Sequence, residues 1–136
     1  MNPPYCLFVY GTLRPCSKHP MARFLAERAR YLGQARVPGR LYNLGRFPGM
    51  LEPVSAQDWV MGDIYELPQD PSILDELDRY ENGESPLPAF FDRQITEALL
   101  ITGETLRVWI YWYRGRIRDE QRIASGDFCG CKDQKP

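Results

Sequence analysis

Short runs of hydrophobic residues, divided by glycine and proline, recur along most of the chain and predict a β-rich protein. The first run covers residues 6–10, is apolar, β-branched and aromatic, and predicts a buried strand. It stops at Gly11, after which Arg14 carries a charge and Pro15 cannot donate to a strand ladder. This ending fits either a plain edge turn or a loop whose backbone N–H groups receive an anion.

The same pattern predicts further strands at residues 39–44, 59–67, 91–101 and 106–113. The last two are separated by a short glycine-containing turn and are expected to form a hairpin. Glycine and proline punctuate residues 44–51 (LGRFPGML), which predicts a loop. Because most links between strands are short, we expect largely antiparallel pairing.

Large side chains occupy both faces of the last predicted strand. One face carries Leu106, Val108, Ile110 and Trp112, and the other carries Trp109, Tyr111 and Tyr113. This pattern fits a central strand covered on both sides, and it also fits a small barrel with helices packed outside it.

Two segments have the period of an amphipathic helix. Ser17 can cap a first helix that runs to about residue 30, with Met21, Phe24, Leu25 and Ala29 on one stripe. A second helix opens at Asp70 and Pro71, which provide a cap and a proline at the first helical position. Asn82 and Gly83 end it, because together they favour a left-handed C-cap.

Glu81 lies in the last turn of the second predicted helix, on the line of its apolar face. It follows Leu74 by seven residues and therefore lies only about 20° from the same line, at about 100° per residue. Desolvation and the helix dipole both disfavour a negative charge there. Either the last turn frays and the carboxylate reaches water, or Glu81 has a raised pKa and can take and return a proton.

Composition narrows the class of protein. A chain of 136 residues with 43% hydrophobic and 26% charged residues is typical of one globular domain. The net charge of −1 argues against a nucleic-acid surface, and no apolar run approaches the ~20 residues needed to span a membrane. The first residues lack the features of a signal peptide, so we expect a cytoplasmic protein.

The cysteines and the single histidine do not form a recognisable metal motif. Cys6, Cys16, Cys129 and Cys131 match no zinc spacing, and His19 is the only histidine. We expect reduced, unligated thiols, with a redox pair at Cys129 and Cys131 as the alternative.

Several short motifs follow one another in a specific order: FVYGTLR, GRLYNLGRFPGM, VMGDIYEL, LDELDRYE, FFDR and IASGDF. Over residues 5–128 this ordered set resembles the γ-glutamylcyclotransferase-like family, in particular its Tyr-Gly-Thr-Leu branch, which includes the γ-glutamylamine cyclotransferases. The resemblance implies an α+β fold, namely a small closed, largely antiparallel or mixed β-barrel with two or three outer helices. We expect one such domain over residues 1–128 and a disordered tail over residues 129–136.

The resemblance also implies a chemistry. The loop residues Tyr10, Gly11, Thr12 and Leu13 correspond to the part of the family that binds the γ-glutamyl group, and Glu81 corresponds to the general acid/base. The substrate's α-amine attacks its own γ-carbonyl, releasing 5-oxoproline and a free amine or amino acid. The expected partner is a small γ-glutamyl compound, without metal or other cofactor, nucleic acid or membrane.

Two other functions remain open at this point. The fold could serve as a non-catalytic module that binds a small ligand or a partner, or Glu81 could activate water in an amidohydrolase. The chain also departs from many relatives, because it has Phe91 where they have tyrosine in a Tyr-x-Arg motif. Arg93 is expected to pack or pair structurally, and Arg14 to add long-range charge or to be a solvated loop cation.

Overall fold

The computed structural model describes residues 6–11, 14, 20–44, 48–68, 72–73, 75 and 91–128. These residues form the following elements, in chain order: β1 (Cys6–Val9), α1 (Pro20–Arg28), β2 (Arg30–Pro38), β3 (Arg40–Asn43), β4 (Pro48–Leu51), β5 (Trp59–Glu66), β6 (Phe91–Leu100), β7 (Thr105–Tyr113) and a 3-10 turn (Asp119–Gln121).

Five strands close into a barrel in the order β1-β5-β2-β6-β7, and β3 and β4 form a separate two-stranded sheet. The barrel is mixed. Strand β1 runs parallel to β7, with Leu7 opposite Trp109, and the other four pairs of neighbouring barrel strands are antiparallel. The expected α+β class with a small closed, mixed barrel is therefore confirmed.

Strand β7 separates two hydrophobic clusters, as the large side chains on both of its faces predict. Val108 and Ile110 point into the barrel, together with side chains from the other four barrel strands. Tyr111 points outward into a second cluster that includes Leu25 of α1. The outer cluster also contains Ile73, which like Ser72 and Asp75 is helical and marks the start of the second predicted helix. The rest of that helix lies outside the described residues.

The predicted hairpin is confirmed by the register of β6 and β7, which runs from Phe91 opposite Tyr113 to Leu99 opposite Thr105. The predicted strands at 39–44 and 59–67 correspond to β3 and β5.

The loop predicted at residues 44–51 is only partly correct. Pro48–Leu51 forms β4, which pairs with β3 from Arg40 opposite Leu51 to Asn43 opposite Pro48. Proline and glycine are tolerated here because the sheet has only two strands and β4 begins with the proline.

Strand β2 was missing from the sequence-based prediction, which extended the first helix to about residue 30. Helix α1 ends at Arg28 and β2 begins at Arg30. Alternating burial is visible only in the second half of β2, where Ala35 and Val37 are buried. In the first half the register with β5 shifts between Tyr31 and Gly33, which interrupts the period of two on which strand prediction depends.

Candidate active site

The loop after β1 is held against β7 by Tyr10. The Tyr10 side chain is buried in the barrel core, and its hydroxyl donates a 2.6 Å hydrogen bond to the carbonyl oxygen of Tyr111. This hydroxyl therefore fixes the end of β1 to the neighbouring strand. Tyr10 was predicted to bind substrate, and this bond gives its side chain a structural task.

Gly11 lies in close contact with Pro48, the first residue of β4. A Cβ atom at Gly11 would lie 2.6 Å from Cγ and 2.7 Å from Cδ of the Pro48 ring. The φ angle of Gly11 is outside the left-handed range, so close approach rather than turn geometry requires glycine here.

Gly49 makes a second close approach at the same place. A Cβ atom there would lie 2.8 Å from Cγ of Tyr113, the last residue of β7, and 2.9 Å from Cδ1 of Leu44. Two motifs that are separate in the sequence, FVYGTLR and GRLYNLGRFPGM, therefore meet beside the end of β7. We take this meeting point as the candidate site.

Phe91 borders this region through its contact with Tyr113. The two residues are opposite each other in the hairpin, and their ring centroids are 5.4 Å apart with planes inclined at 56°. Phe91 is buried, so its ring packs in the outer hydrophobic cluster. Arg93 places its guanidinium carbon 4.4 Å from the centroid of the Trp109 ring, which agrees with the packing role expected for it.

Arg14 is buried, so the expectation of a solvated loop cation was wrong, whereas its contribution of long-range charge stays a prediction. Only 4% of the residue is exposed. Its Nε donates to Oδ2 of Asp63 at 2.8 Å, and its Nη1 donates to Oδ1 of Asp127 at 2.7 Å. The guanidinium thus joins the loop after β1 to β5 and to the segment that follows the 3-10 turn.

Asp63 is itself buried, with 3% of the residue exposed, and both of its carboxylate oxygens are hydrogen-bonded. Oδ1 accepts a 2.6 Å bond from the hydroxyl of Tyr31. Desolvation of the hydroxyl and this hydrogen bond raise the pKa of Tyr31 well above its usual range. The Tyr31 hydroxyl thus donates to the oxygen of Asp63 that Arg14 does not occupy.

The sequence-based prediction did not single out Asp63 or Asp127. A signal for each was present, since Asp63 interrupts the apolar part of VMGDIYEL and Asp127 lies in IASGDF. A charged residue inside a buried strand needs a partner, but the sequence alone does not say which cation supplies it.

Of the predicted site residues, the structure describes Tyr10 and Gly11, which are adjacent at the end of β1. Thr12, Leu13 and Glu81 lie outside the described residues, so their predicted roles remain predictions.

Three further features of the described residues concern metal binding, the Cys6 thiol and membrane-spanning helices. Within it, no group of three or more His, Cys, Asp or Glu side chains could hold a metal ion. Cys6 is the one cysteine in this part, and its thiol is free. Burial, followed by the nearby charge of Glu66, raises the pKa of Cys6. None of the described helices is long and apolar enough to cross a membrane.

Comparison with known proteins identifies the family. The sequence model for "gamma-glutamyl cyclotransferase, AIG2-like" matches residues 7–130. A Drosophila melanogaster protein, provisionally named a γ-glutamylcyclotransferase, is 29% identical over 117 residues, which cover 79% of this chain and 69% of that protein.

Solved structures show the same fold. A Pyrococcus horikoshii protein matches with a TM-score of 0.66 and 21% identity, covering 95% of this chain and 93% of its own. An AIG2-like protein from Mus musculus matches with a TM-score of 0.67 and 20% identity, covering 88% of this chain and 83% of its own. The fold agrees with these structures, and the match over residues 7–130 spans most of the sequence. The chain therefore belongs to the γ-glutamyl cyclotransferase, AIG2-like family.

Proposed function

We propose that this protein is a γ-glutamyl cyclotransferase that converts a γ-glutamyl amine or γ-glutamyl amino acid into 5-oxoproline and the free amine. Family membership supports an enzyme of this kind. The structural observation that carries the proposal is the close packing of Gly11 on Pro48, which brings two family motifs together beside the end of β7. Such packing holds backbone groups in place before a ligand arrives, as transition-state stabilisation requires.

The reaction is an internal exchange of one amide bond for another. A bond forms between the substrate's α-nitrogen and its γ-carbon, and the bond between the γ-carbon and the leaving nitrogen breaks. The α-ammonium loses two protons as it becomes the lactam N–H, and the leaving nitrogen gains two as it departs and becomes an ammonium ion. No water molecule, oxidant or reductant enters this balance.

Glu81 is the proposed proton carrier. An α-ammonium group cannot attack a carbonyl, so a base must first remove its proton, and the leaving amine must be protonated as it departs. One carboxylate can perform both transfers in turn, and general acid–base catalysis of this type typically contributes ~10²–10⁴-fold. The proposal rests on the position of Glu81 in the predicted helix and on the family motif LDELDRYE.

The loop after β1 is the proposed binding element. Backbone N–H groups of Gly11, Thr12 and Leu13 would hold the substrate's α-carboxylate or the oxyanion that develops on the γ-carbonyl. Holding amine and carbonyl close together in a bent conformer supplies a further part of the rate. Tyr10 supports this loop through its bond to Tyr111.

A panel of γ-glutamyl amines, γ-glutamyl amino acids and γ-glutamyl peptides tests the function, with 5-oxoproline, glutamate and the released amine measured together. We expect 5-oxoproline and amine in equal amounts for at least one compound. Glutamate in place of 5-oxoproline would instead indicate the amidohydrolase, and binding without turnover would indicate a ligand-binding module.

The same panel should include a γ-glutamyl amide whose α-amine is acetylated. This analogue lacks the nucleophile for lactam formation, so we expect no turnover. Its hydrolysis to N-acetylglutamate would contradict the intramolecular mechanism.

A further inference from the structure

Arg14 is the most deeply buried cation that the described part of the chain contains, and the proposed chemistry gives it no task. Burial of a guanidinium is unfavourable unless its charge and its N–H groups are satisfied. Here two carboxylates from distant parts of the chain satisfy them, Asp63 at 49 residues' separation and Asp127 at 113 residues' separation. We call Arg14, Asp63, Asp127 and Tyr31 the Arg14 cluster.

The backbone of Arg14 is tied to the predicted binding loop. Its N–H donates a 3.0 Å hydrogen bond to the carbonyl oxygen of Gly11. Because a peptide unit is planar, fixing the direction of the Gly11 carbonyl also fixes the direction of the N–H group in the same unit. The hydrogen bond from Arg14 therefore restrains the orientation of the Gly11 carbonyl at the start of the loop.

The side chain of Arg14 folds back beside β1. Its partner Asp63 is opposite Val9, the last residue of β1, in the pairing of β1 with β5. The loop is thus fixed at two places, at Gly11 by the Pro48 ring and at Arg14 by the two carboxylates.

We propose that Arg14 is a positioning residue, which holds the backbone beside Gly11 in the orientation that binds the γ-glutamyl group. For catalysis this inference rests on the proposed function. Arg14 acts through the backbone of the loop and has no contact with the reacting atoms. Asp63 orients the guanidinium from the barrel, with its second oxygen held by Tyr31, and Asp127 holds it from the other side.

Arg14→Lys is the sharpest test, because lysine keeps the charge but lacks the planar fork that bonds two carboxylates through Nε and Nη1. Arg30→Lys is the matched control, since Arg30 forms an exposed ion pair with Glu66 on the same barrel at 3.3 Å. Both variants are assayed well below their melting temperatures, so that all of the protein is folded. We expect kcat/KM for 5-oxoproline formation to fall at least tenfold in Arg14→Lys and to stay within twofold of wild type in Arg30→Lys.

A second variant guards against a failure of Arg14→Lys to fold. The side chain of Asp127 is 37% exposed, so Asp127→Asn removes one of the two negative charges that pair with Arg14, keeps an acceptor oxygen there and buries no unpaired group in its own place. We expect a loss of at least threefold in kcat/KM with the melting temperature nearly unchanged. Lower stability with normal kcat/KM in both variants would show a purely structural cluster and would overturn the inference.

Amide hydrogen exchange supplies a readout that does not depend on activity. In Arg14→Lys the amides of residues 10–14 should exchange at least tenfold faster, while the amides of β5, β6 and β7 keep their wild-type rates. If the wild-type protein forms no 5-oxoproline from any compound of the panel, the proposed function fails but this measurement still decides the role of Arg14. Unchanged exchange, or uniformly faster exchange, would overturn positioning by Arg14.

Discussion

At Gly11 the loop after β1 has no room for a side chain, because the Pro48 ring occupies the space that a Cβ would fill. A methyl group at this position has two separable effects. It pushes Pro48 and β4 away from the loop, and it changes the surface that the loop presents to a ligand. The two effects can be measured apart, because the first depends on the proline ring and the second does not.

Gly11→Ala should therefore lower both stability and activity. Overpacking of this kind typically costs about 1–3 kcal/mol of unfolding free energy, and we expect kcat/KM to fall at least tenfold, which corresponds to about 1.4 kcal/mol. Urea unfolding and 5-oxoproline release measured on the same sample test both numbers. An alanine variant with wild-type stability and activity would contradict the close packing.

The double variant Gly11→Ala/Pro48→Ala separates the two effects, with Pro48→Ala as its control. If the methyl group acts only through Pro48, removal of the ring restores both stability and activity. If stability returns but activity does not, the methyl group obstructs the ligand directly, because the coupling between neighbouring sites has then been removed.

Glu81 carries the chemistry in the proposal, and its amide isostere tests it. Glu81→Gln should lower kcat at least tenfold with KM and stability close to wild type, because glutamine has the same shape but cannot accept the proton. Asp75→Asn is the matched control, since Asp75 is exposed and belongs to the same predicted helix. Retention of more than about a tenth of the wild-type kcat would remove Glu81 from the acid/base role.

Among the elements, two short segments depend on glycines in the left-handed region. Gly103 has φ +98° in the turn between β6 and β7, and no heavy atom lies within 4 Å of where its Cβ would be. Gly126 has φ +72° in the segment after the 3-10 turn, and its Cβ would collide with the carbonyl oxygen of Trp59. At both positions the positive φ angle disfavours a side chain, but only at Gly126 would the side chain also collide with neighbouring atoms.

The pair Gly103→Ala and Gly126→Ala should separate backbone strain from collision. We expect Gly103→Ala to cost roughly 1–3 kcal/mol of unfolding free energy through φ alone. Gly126→Ala should cost clearly more, and it should also reduce activity because it displaces Asp127, the partner of Arg14. Urea unfolding of both variants gives the comparison, and equal costs would contradict the close contact at Trp59.

How much the sequence could predict differs from element to element. The hairpin of β6 and β7 was predictable because two strand-like runs flank a short turn that contains glycine. Strand β2 was not, because its register shifts between Tyr31 and Gly33 and its edges are defined by partners far away in the sequence. Periodicity is a local signal, whereas strand pairing depends on the whole barrel.

The same reason limits prediction of the candidate site. Gly11 could be identified because it ends a buried apolar run and lies in the family motif FVYGTLR. The burial of Arg14 could not, since it depends on Asp63 and Asp127, which lie 49 and 113 residues further along the chain. A charged residue in a loop is normally solvated, and only the folded barrel shows the exception.

For the molecule as a whole, the proposed reaction needs no metal ion. The substrate supplies its own nucleophile, and the cysteines and His19 match no zinc spacing. Exhaustive chelation with EDTA should therefore leave kcat unchanged, with 5-oxoproline release as the measurement. Activity that disappears with EDTA and returns on addition of zinc would contradict the mechanism.

The parallel contact between β1 and β7 affects the order in which the protein folds. Tyr10 and Tyr111 are joined across 101 residues, so this contact closes a very long loop and its entropic cost must be met before it contributes any stability. On a ribosome, β1 is made early but must wait for β7 to emerge before the barrel can close. The end of β1 therefore reaches its native contacts late in folding. In refolding experiments, activity should return with the slowest kinetic phase, after the hairpin of β6 and β7 has formed.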